Sequence, residues 1–285
     1  MNRLTTRFAP SPTGRLHLGH AFSAIQAHDY ARDRDGRFLL RIEDIDGTRS
    51  RPEHVAAILD DLAWLGLTWD GAVTFQSQRL DRYQAALDQL RAMGLIYPCF
   101  CTRADIAAAG AAPHGADGAI YPGTCRALDA EARAARIDQP HAWRIDSAKA
   151  AERAGPLTWR DDIAGAQTAD PATFGDVVLA RKDAPSSYHL AVTVDDAAQG
   201  VTHVVRGADL FAATHVHRLL QALLGLPTPI YRHHPLLRDA AGNRLAKRHG
   251  APTLENLRRG GADGAALAAD LRSGRLPSGF RAGKD

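Results

Sequence analysis

The segment Pro10–His20, PSPTGRLHLGH, places two imidazoles, His17 and His20, three residues apart where a strand-like stretch, LTTRFA, gives way to a helical pattern. A helix N-terminus carries unpaired N–H groups and about half a positive charge, so it receives anions. Gly14 and Gly19 let a ligand approach the backbone, Pro10 and Pro12 stiffen the entry, and the histidines add donors that can follow a phosphate as charge builds on it. The same residues also suit a plainer role, a capped turn with two surface histidines. A second candidate, RIEDID, sets Glu43, Asp44 and Asp46 at the end of an apolar run. Acids at such a strand end hold an ammonium, a ribose or a metal, or simply cap the next loop. The third is the set of three cysteines, Cys99, Cys101 and Cys125, whose clustering favours a metal over disulfides. Three thiolates are one ligand short of a tetrahedral zinc site, and both His114 and Tyr121 are available as the fourth; three reduced, buried thiols are the alternative.

These groups need elements to hold them. Thr5–Ala9 reads as a strand, and Ala21, Phe22, Ile25, His28 and Ala31 mark a helix that ends at Gly36. RFLLRIED is a nearly continuous apolar run, expected of a strand buried on both faces of a parallel sheet. Strand, helix and strand make a right-handed βαβ unit. Ser50 and Glu53 have capping-box spacing before a helix through Val55, Ile58, Leu59, Leu62 and Leu65, and a further helix runs from Leu80 to Met93. From residue 97 to 185 the character changes to Ala- and Gly-rich stretches, the cysteines, and short strand-like pieces such as HAWRID and FGDVVLAR, which reads as an insertion. Regular α/β patterning resumes at YHLAVTVDD and VTHVVRGADL, followed by a helix through Val216, Leu219, Leu220, Leu223 and Leu224.

Composition is that of a globular protein, 45% hydrophobic and 24% charged, with no apolar run long enough to cross a bilayer. Residues 1–20 lack the apolar segment of a signal peptide, so a cytoplasmic protein without membrane partners is expected, and a monomer. A net charge of +3 permits an anionic partner without selecting one.

Taken in order, FAPSPTGRLHLGH, RIEDID, SYHLAVTVDD, GVTHVVRGADL and RLAKRHG span residues 3–250 and resemble the class I aminoacyl-tRNA synthetases of the glutamyl type, in which HLGH is a variant of the HIGH motif. The resemblance implies an α/β fold with a Rossmann-type (HUP-like) parallel sheet. Its first half would occupy residues 1–96, the insertion 97–185, the second half 186–240, and a KMSKS-like loop with a short tail 241–285. It implies ATP, with Mg²⁺, bound by Pro10, Ser11, Gly14, His17, Gly19, His20 and Lys247, with His17, His20 and Lys247 as the catalytic groups. In RLAKR only Lys247 is kept at the family's catalytic lysine, and Arg244, Ala246 and Arg248 replace its neighbours. L-Glutamate would lie against Arg7, Phe8, Ala9, Pro10, Ser11, Glu43, Tyr188 and Arg206, with Glu43 on its α-amino group and both arginines facing its side-chain carboxylate. Glutamine would leave those arginines unpaired, a penalty of about a few kcal/mol.

Within that class, CxC followed by YxxxC, here Cys99, Cys101, Tyr121 and Cys125, resembles the shortened glutamyl-queuosine tRNA(Asp) synthetases, and implies one structural zinc with tyrosine as a ligand. The 35 residues after Gly250 are too few for an anticodon-binding domain, and none is expected. The implied function is tRNA-independent activation of glutamate, then its transfer to the cyclopentenediol of queuosine in the anticodon loop of tRNA(Asp). A truncated glutamyl-tRNA synthetase charging the 3′ end of tRNA(Glu), and a catalytically weakened tRNA-binding module, are the competing readings.

Overall fold

Thr5 to Phe8 are all buried, and Arg37 to Ile42 are nearly so, the mark of strands covered on both faces. In the computed structural model, which describes residues 3–108, 114–115, 118–239, 253–276 and 280–282, they form β1 (Thr5–Phe8) and β2 (Arg37–Ile42), paired in parallel with Phe8 opposite Leu40. The crossover is α1 (Leu18–Arg32), which buries Leu18, Ala21, Ala24, Ile25 and Ala31 in the core beside them. Next come α2 (Pro52–Trp64), β3 (Thr74–Phe75), parallel to β2, and α3 (Leu80–Ala92). The Ser50–Glu53 capping box does not form. Proline at the first turn, with its fixed φ and missing N–H, starts α2 at Pro52, so Arg51 is the N-cap and no side chain caps it.

The following span contains β4 (Ile96–Cys99), α4 (Arg103–Ala108), β5 (His114–Gly115), β6 (Gly118–Ala119), α5 (Ala130–Ala134), β7 (Ala142–Ile145), α6 (Ser147–Ala154), β8 (Thr158–Asp161), β9 (Gly165–Thr168) and β10 (Val178–Ala180). β4, β7 and β10 make a separate antiparallel sheet with β7 in the middle. The β8–β9 hairpin belongs elsewhere. It joins the sheet of the chain's second half, through Asp161 opposite Tyr231.

That second half runs α7 (Tyr188–Ala198), β11 (His203–Gly207), α8 (Ala213–Leu224), β12 (Ile230–His234), β13 (Leu237–Asp239), α9 (Leu254–Arg259), α10 (Gly264–Arg272) and β14 (Phe280–Ala282). β11 and β12 are parallel, with Arg206 opposite His233. Thr202 N–H donates to Thr5 O at 3.0 Å, and Thr5 N–H donates to Thr202 Oγ1 at 2.8 Å, so the starts of β1 and β11 lie side by side. From this seam the chain winds outward in two directions, β1 to β2 and β11 to β12, which creates a topological switch point. In open α/β sheets ligands bind there, beyond the carboxyl ends of the strands. Among the described residues no helix is long and apolar enough to cross a membrane.

Candidate active site

A cavity of about 660 Å³ opens at this switch point. The end of β1 contributes Arg7 and Phe8 and continues into Ala9, Pro10 and Ser11; the turn adds Gly14; the start of α1 adds His17, Gly19 and His20; Glu43 follows β2, Tyr188 begins α7, and Arg206 closes β11. All the described residues assigned to glutamate or ATP by resemblance therefore line one cavity. Lys247 lies outside the described residues. The chain on either side of its segment meets the cavity: Leu237 lines it, Leu254 N–H donates to Leu16 O at 2.9 Å, and Thr253 makes a β-bridge to His17.

The two histidines cap α1. Gly19 N–H donates to His17 Nδ1 at 3.1 Å and His17 N–H donates to His20 Nδ1 at 3.2 Å, a capping box made of imidazoles whose rings lie 3.8 Å apart. An imidazole that accepts at Nδ1 carries its proton at Nε2. Glycine at 19 leaves room for this packing, because a Cβ there would lie 3.0 Å from His17 Cε1 and press on the imidazole.

RIEDID divides by role. Asp44 accepts from Ser77 N–H and Oγ–H, and Asp46 from Thr48 and Arg49, so both hold loops outside the cavity. Glu43 is tied to the entry turn through its own N–H, which donates to Pro10 O at 3.0 Å. Its Oε1 is buried with no hydrogen bond, 3.6 Å from Arg41 Nη2. Burial pushes its pKa up to about 7, against the opposing pull of Arg41 and Arg7. A carboxylate oxygen left this way suits a cationic donor.

The two arginines differ. Arg7 donates from Nε to Asp196 Oδ1 at 3.0 Å, and among the described residues its Nη atoms carry no hydrogen bond, so its fork can take a carboxylate in bidentate fashion. Arg206 is 5% exposed and has no carboxylate within ion-pair distance among the described residues. Its Nε–H donates to His233 Nε2 (3.0 Å), Nη1 to Tyr188 Oη and His217 Nδ1 (3.3 Å each), and Nη2 to Leu210 O (3.1 Å) and Thr214 Oγ1 (2.7 Å). It thus has no direct ion-pair partner among the described residues while its hydrogens are engaged. Such an arginine can act on an anion as a nearby cation and through the Tyr188 hydroxyl, which accepts from it and can donate onward.

The model of the catalytic domain of class I tRNA synthetases (E and Q) matches residues 3–272. Glutamyl-Q tRNA(Asp) synthetase of Rhodobacter capsulatus is 52% identical over 278 residues, covering 94% of this chain and 98% of its own, and that of Symbiobacterium thermophilum is 46% identical, covering 90% and 82%. The chain belongs to the glutamyl-Q tRNA(Asp) synthetase family. A solved structure of a glutamate tRNA ligase from Elizabethkingia meningosepticum in complex with its amino acid is 28% identical, with a TM-score of 0.73. The match covers 88% of this chain and 54% of that one, so the chain spans about half the length of that ligase.

Against this glutamyl-Q synthetase background, the cysteines form a second site. The Sγ atoms of Cys99, Cys101 and Cys125 lie within 4.8 Å of one another, and Cys101 and Cys125 are 3.5 Å apart. Tyr121 Oη is 3.5 Å from Cys101 Sγ and accepts from Cys125 N–H at 2.8 Å. Three soft sulfur ligands with a phenol oxygen beside them fit a metal by donor chemistry. Of His114, only the backbone, in β5, is described.

Sequence reasoning missed the residues that hold the site. Arg41 is fully buried and donates from Nη1 to Asp196 Oδ1 (2.8 Å) and Gln199 Oε1 (2.7 Å). Asp195 accepts from Arg79, Tyr83 and Gln76 at 2.6–2.9 Å. Two signals pointed to this network: Arg41 sits two residues from Glu43 after a run of apolar strand, and two aspartates end the apolar helix segment YHLAVTV.

Proposed function

We propose that the cavity activates L-glutamate with ATP to glutamyl-adenylate without tRNA, and that the protein then transfers glutamate to the cyclopentenediol of queuosine in the anticodon loop of tRNA(Asp). The observation that carries the glutamate reading is charge matching. A buried Arg206 without an ion-pair partner among the described residues and the open fork of Arg7 complement a side-chain carboxylate, and the orphaned Oε1 of Glu43 complements an ammonium.

In the first step an oxygen of the glutamate α-carboxylate bonds to the α-phosphorus of ATP, the bond from that phosphorus to the bridging oxygen breaks, and pyrophosphate leaves. His17 and His20 lie at the N-terminus of α1, where their Nε2 protons and the helix amides stabilise charge on the phosphoryl oxygens. Lys247 neutralises the departing pyrophosphate; Mg²⁺, held with the nucleotide, would supply further screening of that charge. In the second step a ring hydroxyl of queuosine attacks the adenylate carbonyl, the bond from that carbonyl to the phosphate oxygen breaks, AMP leaves, and the hydroxyl proton passes to solvent. Glu43 holds the ammonium, while Phe8, Ala9, Pro10 and Ser11 form the floor that positions glutamate against ATP. Cys99, Cys101, Tyr121 and Cys125 hold one zinc, a structural site within the 97–185 insertion. The protein works as a cytoplasmic monomer.

Glutamate-dependent ATP–pyrophosphate exchange without RNA tests the first step. Glutamylation of tRNA(Asp) with and without queuosine tests the second, and transfer only to the modified tRNA is expected. Equal glutamylation of both, or charging of tRNA(Glu), would favour a truncated glutamyl-tRNA synthetase; no exchange at all would leave a tRNA-binding module.

A further inference from the structure

Arg206 is buried in the cavity wall with no carboxylate at ion-pair distance among the described residues, so neutral groups set its position. One of them is itself fixed from behind. Arg206 Nε–H points at His233 Nε2, and His233 Nδ1 faces Asp161 Oδ2 at 2.7 Å; the His233 and Asp161 side chains are 2% and 1% exposed. A carboxylate cannot donate, so His233 donates from Nδ1 and its Nε2 stays a bare acceptor for the guanidinium. Burial, followed by the Arg206 cation, pushes the imidazole pKa below the usual histidine range, which keeps that acceptor unprotonated.

Asp161 is held in turn by its own hairpin. Its Oδ1 accepts from the N–H groups of Ile163 and Ala164, 2.8 Å each, at the turn between β8 and β9, and its Oδ2 also accepts from His233 N–H at 3.2 Å. Burial alone would raise its pKa, but the Ala164, His233 and Ile163 hydrogen bonds outweigh it, and the carboxylate stays ionised. Neither Asp161 nor His233 lines the cavity.

We propose that Asp161 and His233 are positioning residues for glutamate recognition: the Asp161 carboxylate selects the His233 tautomer, and the bare Nε2 fixes the Arg206 guanidinium at the cavity wall. This rests on the reading of the cavity as a glutamate site. It assigns the β8–β9 hairpin a task in substrate choice that its place in the sequence, inside a long insertion, would not suggest.

Asp161→Asn makes the strongest test because it changes one atom type. The two N–H groups at Oδ1 retain the amide oxygen there, which turns the NH₂ toward His233 Nδ1 and gives up the longer bond from His233 N–H. That nitrogen must then accept, the ring proton moves to Nε2, and it meets the Arg206 Nε–H donor to donor. Two histidine variants separate positioning from plain packing. His233→Asn keeps a donor toward Asp161 but loses the acceptor for Arg206; His233→Gln places an amide oxygen near the lost Nε2.

Steady-state pyrophosphate exchange is measured on the full-length protein and these variants. Long-range ¹⁵N–¹H NMR of the ligand-free protein reads the His233 tautomer. For Asp161→Asn and His233→Asn, KM for glutamate is expected to rise roughly tenfold to a hundredfold, the consequence of one buried donor left unpaired, while kcat and KM for ATP stay within about threefold. His233→Gln recovers most of the affinity. A wild-type His233 protonated at Nε2, an unchanged KM in Asp161→Asn, or equal behaviour of the Asn and Gln variants would overturn the assignment. Wild-type protein that fails to exchange pyrophosphate with glutamate overturns the cavity reading itself, an outcome distinct from an active wild type with unaffected variants.

Discussion

Glu43 gives up hydration and gains no hydrogen bond at Oε1, where its nearest partner is Arg41 Nη2 at 3.6 Å. Its pKa, raised by burial from the ordinary 4.5 to about 7, has two consequences with defined signs. A carboxyl with a raised folded-state pKa contributes stability that is present below the unfolded value and lost as pH rises through the folded one. Glu43→Gln is therefore expected to melt higher than wild type at pH 8, with the gain shrinking toward pH 4.5. In binding the order reverses, because the ammonium of glutamate needs the ionised form. kcat/KM for glutamate in the wild type should fall as pH drops below about 7, and the Gln variant should show a low, flat profile over that range. A wild-type profile flat from pH 8 to 6 would mean that Glu43 stays ionised over that range, and an unchanged kcat/KM in Glu43→Gln would remove it from the ammonium site. Glu43, Arg7, Tyr188 and Arg206 were legible in the sequence because their motifs carry them. Arg41 and Asp196 were not, since two charges that neutralise each other from β2 and α7, 155 residues apart, leave no local pattern.

At the level of elements, α1 carries its cap and the proposed chemistry on the same side chains, the cap at Nδ1 and the chemistry at Nε2. Asparagine is a good N-cap and alanine a poor one, so the two roles of His17 can be pulled apart. His17→Asn should keep thermal stability near wild type, whereas His17→Ala should lose about 1 kcal/mol, the usual worth of a cap. Both should lower pyrophosphate exchange by roughly 10²–10³, as removal of one charge-stabilising donor does elsewhere. Melting curves and exchange rates on the same preparations check this, and an active His17→Asn would reduce the histidine to a cap. Strand and helix order in the first 94 residues followed the apolar periodicity except at β3, whose two residues, Thr74 and Phe75, are too few to show a period. The start of α2 did not, because Pro52 overruled the Ser50–Glu53 spacing. The β8–β9 hairpin was equally hidden: Thr158–Asp161 is a short strand with every other residue exposed, and its sheet partner, Tyr231, lies 70 positions away.

For the whole molecule, the seam between β1 and β11 is where the fold and the site depend on each other. Across it, Asp196 on α7 binds Arg7 of β1 at 3.0 Å and Arg41 of β2 at 2.8 Å, both nearly or fully buried. Burial raises the Asp196 pKa and Arg7 and Arg41 lower it further than that, so the pair contributes stability above the ordinary carboxylate range and loses it as pH falls through the depressed value. Removing the anion leaves two buried guanidiniums with Glu43 and Asp195 as the remaining carboxylates near Arg41. Breaking a buried pair from one side costs about 3–5 kcal/mol, and Asp196→Asn should lower the urea midpoint accordingly at pH 7 and by less at pH 3. Glutamate adds a discriminating arm. Its carboxylate returns an anion to Arg7, so saturating glutamate should raise the midpoint of Asp196→Asn by more than it raises that of wild type, beyond ordinary mass-action stabilisation, if affinity is retained. Equal increments in the two proteins would mean that Asp196 and the ligand carboxylate do not share Arg7. An unchanged midpoint in the variant without ligand would mean that the seam is held by packing and by the Thr5–Thr202 hydrogen bonds alone.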